Sequence, residues 1–60
     1  MNEEIYRAAM DAIEDFGENA AQEALALGKI MMTNGRDDLS QRWAYIAKAI
    51  EKIQGQQSIQ

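Results

Sequence analysis

Between Ala20 and Thr33 the chain offers only four clearly polar side chains, Gln22, Glu23, Lys29 and Thr33. Wound at about 100° per residue, Leu27, Ala20, Met31, Ala24, Gly28, Ala21, Met32 and Leu25 fill one apolar arc of roughly 160°. Ile30 and Ala26 fall outside that arc, on the far side. A surface helix needs one apolar stripe and keeps a wide polar face. Two flanking helices can cover part of the excess, but a chain of 60 residues has little else to cover it with. The segment therefore predicts a helical protein whose biology is association, with itself or with a partner.

Length sharpens that expectation. A domain of this size buries only about 60 % of its unfolded surface and leans on disulfides, metals or oligomerisation for stability. Cysteine and histidine are both absent, which removes disulfides and the usual zinc ligands. Helix packing and oligomerisation remain. There is no proline, and alanine, the best helix former, is abundant. No apolar run reaches the ~20 residues of a membrane span. The start, Met1-Asn2-Glu3-Glu4, is acidic where a secretory signal is basic. A soluble, cytoplasmic protein is expected.

Charge is unevenly distributed. Residues 1–23 hold seven acids against Arg7, a net of −6, and residues 24–60 hold five bases against three acids, a net of +2. The overall charge of −4 disfavours generic nucleic-acid binding, which rests on neutralising phosphates. The acidic first segment is read as a solvated helix face.

Three helical segments are expected, separated by glycine-containing stops. The first runs from about Glu3 to Phe16, with Asn2 as N-cap and Ile5, Ala9, Ala12, Ile13 and Phe16 on its buried face. Gly17 ends it in the left-handed conformation. Asn19 with Gln22 then reads as a capping box for the second helix. The row Ala20, Ala24, Gly28 predicts a close helix–helix contact, and Asn34-Gly35 a turn. Asp37 or Asp38 caps a third helix over about residues 39–54, whose Leu39, Trp43, Ile46, Ile50 and Ile53 follow heptad a/d spacing. Gly55 is expected to stop it, leaving 55–60 as a flexible tail after a single domain over 1–54.

No catalytic constellation emerges. Ser40 and Ser58 are the only serines and have no histidine base, so an enzyme is not expected, nor a cofactor. Asp11, Glu14, Asp15 and Glu18 could offer oxygens to a hard cation, but no calcium-loop spacing accompanies them. No metal site is assigned. Gln41, Arg42, Tyr45 and Lys48 lie outward on helix three and are chemically able to read DNA. The alternative function is accordingly a compact helix-turn-helix-like regulator. Against it stand the net charge, the long second helix and a turn read as Asn34 to Asp38, wider than that motif uses. Trp43, in the a/d stripe, is read as core. Leu25, Ile30 and Met32 are the apolar residues expected to remain after internal packing, and are assigned to partner binding.

Phe16-Gly17, Ala20-Ala21, Ala24, Asn34-Gly35, Trp43, Ile46 and Ala49-Ile50 resemble short uncharacterised bacterial proteins. Those carry an aromatic-glycine helix stop, an alanine-rich helix, a glycine-containing turn, then a tryptophan and an Ala-Ile pair. The resemblance covers about Ala12 to Ile53 and implies a three-helix fold, with no activity to carry over. The expected architecture is thus an all-α, compact three-helix bundle, helix two central, open to completion by dimerisation. The expected function is a small acidic protein–protein interaction module, in the setting of a bacterial or phage regulator or inhibitor.

Overall fold

Alanine fills the centre of this protein. The computed structural model describes residues 3–57, with side chains through residue 55, and within that span only Asn34, Gly35 and Arg36 are not helical. The elements are α1 (Glu3–Phe16), a 3₁₀ turn (Gly17–Asn19), α2 (Ala20–Thr33) and α3 (Asp37–Gln57). Among the described residues there is no strand, and the all-α class stands. No coil residue separates α1 from α2, however. The chain can equally be described as two helical runs, residues 3–33 bent at Gly17, and α3.

The bend and the turn are both glycine devices. Gly17 has φ +59° and Gly35 φ +76°, the left-handed region where a side chain clashes with the following carbonyl. At Gly35 the N–H bonds the Met32 carbonyl (3.0 Å) and the Arg36 N–H bonds the Met31 carbonyl (2.8 Å). These are the two bonds of a Schellman motif, and they close the carbonyls that end α2.

Three local expectations are corrected. Asn19 does not form a capping box: its side chain caps nothing, and its backbone (φ −90°, ψ 4°) lies outside the extended region from which a cap reaches forward. The preceding 3₁₀ turn takes up the role, with the Ala20 N–H bonded to the Gly17 carbonyl. Asp37 and Asp38 lie inside the first turn of α3, not ahead of it, where the helix dipole still favours them. Gly55 does not stop α3, which continues to Gln57. A glycine lowers helix propensity by about 1 kcal/mol, and eighteen preceding helical residues outweigh that. The expected cap at Asn2 and the tail beyond residue 57 lie outside the described residues.

The buried set is Ala9 and Ala12 from α1, Ala20 and Ala24 from α2, and Ile46, Ala47, Ala49 and Ile50 from α3. Among the described residues Ile46 and Ile50 are its only large side chains, 2 % and 0 % exposed. Leu39, Trp43 and Ile53 are half-buried on the same face of α3, so the heptad spacing located the packing face. Small residues bring the helices close. A Cβ placed on Gly28 would stand 3.4 Å from both the Ser40 carbonyl and the Trp43 Cβ.

Two long-range contacts fix direction. Glu4 of α1 lies 3.9 Å from Arg42 of α3, and Gln54 Nε2–H of α3 donates to the Gly17 carbonyl at 2.9 Å. Helices α1 and α3 therefore run the same way. On α2, Gly28 faces Ser40, and the earlier Leu25 shares a pocket with the later Ala44, so α2 runs opposite to α3. Both α1 and α2 rest chiefly on α3 and touch each other less. The central element is α3, not α2. With 21 residues against 14, α3 is long enough to back both. The extents are 41 × 21 × 16 Å.

Candidate interaction surface

Close packing along the row Ala20, Ala24, Gly28 decides where the larger side chains of α2 go. With the small residues against α3, Leu27 and Met31 stay half-buried while Leu25, Ile30 and Met32 are displaced to the flanks. Leu25 and Met32 fall on one flank and are 47 % and 61 % exposed. Together with Gly28, Lys29, Ser40 and Ala44 they line a shallow pocket of about 150 Å³ between α2 and α3. Ile30 is also half-exposed, at 51 %, but at about 100° per residue it lies on the opposite flank. Of the three residues assigned to partner binding, the fold brings Leu25 and Met32 together and leaves Ile30 apart.

Other candidates fall as follows. Trp43 packs against the buried cluster from the second turn of α3. Ser40 is buried at the α2–α3 approach, and Ser58 lies outside the described residues. Asp11, Glu14, Asp15 and Glu18 are exposed, and among the described residues no group of three acidic side chains gathers as a metal site. No helix is long and apolar enough to cross a membrane.

A second, larger concavity of about 810 Å³ opens between α1 and α3. Ile5, Leu39 and Ala49 supply apolar lining, while Arg42, Tyr45, Lys48 and Lys52 rim it. Tyr45 is 53 % exposed, and its hydroxyl accepts a hydrogen bond from Gln41 Nε2 at 3.2 Å. Sequence reasoning placed Ile5 and Leu39 in core stripes and Gln41, Arg42, Tyr45 and Lys48 among outward positions, and assigned Ala49 and Lys52 to neither set. The signal was present in Arg42, Tyr45, Lys48 and Lys52, spaced by three or four along one flank. What it lacked was the other wall, which depends on α1 running parallel to α3. The connection Asn34–Arg36 is also shorter than the expected turn, so turn width no longer counts against a helix-turn-helix. The antiparallel course of α2 along α3 does, because that motif crosses its helices at about 90–120°.

No family model, curated protein or solved structure matches the chain.

Proposed function

We propose that this protein is a small acidic helical interaction module, a bundle of three short helices that presents the Leu25–Met32 surface to a protein partner. The observation that carries this is the pairing of two large, half-exposed apolar side chains over a pocket floored by Gly28 and Ser40. Methionine suits such a role because its flexible thioether adapts to a partner's shape. Exposed apolar surface of this kind in so small a protein is a feature of association sites. A regulator or inhibitor in the bacterial or phage cytoplasm is the setting that size and charge suggest.

The test is photocrosslinking in cells of the source organism from a benzophenone side chain at position 25 or 32, with position 22 as reference. Discrete protein adducts from 25 and 32, absent from 22, are expected. Adduct patterns identical at all three positions would defeat the assignment. The alternative, a DNA-binding regulator using α3, draws support from the exposed Gln41, Arg42 and Lys48. It requires retention on duplex DNA that falls steeply with salt and is lost in Arg42→Ala/Lys48→Ala.

A further inference from the structure

The groove between α1 and α3 carries charges of both signs, arranged in two rows. On α3 the rim is basic, with Arg42, Lys48 and Lys52; Asp38 is the only acid in the lining. On α1 the contact of Glu4 with Arg42 places the Glu4 flank on the groove. Asp11 and Asp15 follow Glu4 by seven and eleven residues and so share its flank to within about 20°. Asp11, Asp15, Lys48 and Lys52 are all exposed, and among the described residues the ion pairs formed involve none of them.

The two rows are in register. Because Glu4 meets Arg42 and Gly17 meets Gln54, α1 and α3 climb together, residue for residue. Asp11 is level with Ala49, next to Lys48, and Asp15 is level with Ile53, next to Lys52. Each molecule thus carries an acidic flank on α1 beside the basic rim on α3, while α1 contributes only Ile5 to the groove lining itself.

We propose that the occupant of this groove is a second copy of the chain, related by a two-fold axis parallel to α1 and α3. That rotation lays α1 of each copy over α3 of the other at the same height. Asp11 of one copy then faces Lys48 of its partner, and Asp15 faces Lys52, on both sides of the axis. Tyr45 of each copy enters the groove near the axis as an aromatic anchor. A two-fold axis perpendicular to the helices would instead stack α1 on α1 and set acid against acid. The contact is isologous and closed, so it yields a dimer and not a fibre.

This inference rests on the chain being an association module but not on the Leu25–Met32 surface, which lies between α2 and α3.

Sedimentation equilibrium with charge reversal tests it. Wild-type protein is expected to dimerise, and Lys48→Glu/Lys52→Glu and Asp11→Lys/Asp15→Lys are each expected to weaken the dimer at least about tenfold. An equimolar mixture of the two variants restores wild-type affinity, since in the mixed dimer every reversed row meets a reversed row. All four positions are exposed, and circular dichroism confirms that each variant stays helical before it is mixed. A wild-type monomer at near-millimolar concentration, or helical variants that fail to rescue one another, would overturn the dimer. A dimer lost in Leu25→Glu/Met32→Glu but kept in both charge-reversed variants would overturn this interface while leaving the association reading intact.

Discussion

Single residues act here through backbone conformation as much as through contact, and glycine separates the two. Gly35 has φ +76° with nothing within 4 Å of an added Cβ, whereas Gly55 sits in α3 with equally open space and no positive φ. The same substitution should therefore have opposite signs. Gly35→Ala costs about 1–2 kcal/mol of left-handed strain, and Gly55→Ala contributes about 0.8–1 kcal/mol of helix propensity. In a domain this small each kcal/mol moves Tm by about 4–8 °C, so thermal unfolding should show one variant below wild type and one above. Gly28 is a third case. Its Cβ would meet Ser40 and Trp43 at 3.4 Å, the near edge of ordinary van der Waals contact, so Gly28→Ala should keep up to the ~1 kcal/mol gain in helix propensity. Gly28→Leu must push α3 away and should lose the ~1–3 kcal/mol typical of overpacking, or more. Equal stability of the two Gly28 variants would mean that α2 and α3 are not held at this distance.

At the scale of elements, α3 is the spine. It carries Ile46, Ala47, Ala49 and Ile50 of the buried set and receives α1 on one side and α2 on the other. Ile46 and Ile50, 2 % and 0 % exposed, are the large side chains of the buried set and carry an unusual share of the burial. Ile50→Ala is expected to cost about 2–5 kcal/mol and Ile50→Val about 0.5–1.5 kcal/mol, measured by urea denaturation. The larger loss is comparable to the total stability of a domain of this size, so Ile50→Ala should be largely unfolded. A folded, cooperative Ile50→Ala protein would show that the alanine contacts suffice without it. Gln54 ties the lower end of α3 to the bend at Gly17 through an exposed hydrogen bond. Gln54→Ala should cost no more than about 0.5–1.5 kcal/mol.

At the scale of the whole molecule, a core of alanines and two isoleucines coexists with seven large apolar side chains that remain exposed among the described residues: Tyr6, Met10, Phe16, Leu25, Ile30, Met32 and Tyr45. Small residues allow close helix approach, but each buries little area, and stabilisation follows the apolar area removed from water. Covering the exposed side chains would add to that stabilisation. For a dimer through the α1/α3 groove, Tm should rise with protein concentration, because mass action favours the assembled folded state. Scanning calorimetry over a hundredfold concentration range should show that rise in wild type and a flat response in Lys48→Glu/Lys52→Glu.

Much of this protein was legible in its sequence, for local reasons. Helical class follows from composition and the absence of proline, the positions of Gly17 and Gly35 follow from backbone sterics, and the packing face of α3 follows from spacing alone. The surplus of apolar residues on α2 was equally visible, since it is a count around one helix. What the sequence left open depends on how helices meet. It could not say that α3 is the centre, because all three segments carry apolar stripes and only packing chooses which one is shared. Nor could it separate Ile30 from Leu25 and Met32 as a surface, because that division exists only once the small-residue row is pressed against a neighbour. The groove between α1 and α3, with Ile5 on one wall and Arg42, Tyr45, Lys48 and Lys52 on the other, belongs wholly to the tertiary structure. Its register comes from two contacts, Glu4 with Arg42 and Gly17 with Gln54, each joining residues more than thirty positions apart, and no local periodicity encodes which distant helix will lie alongside.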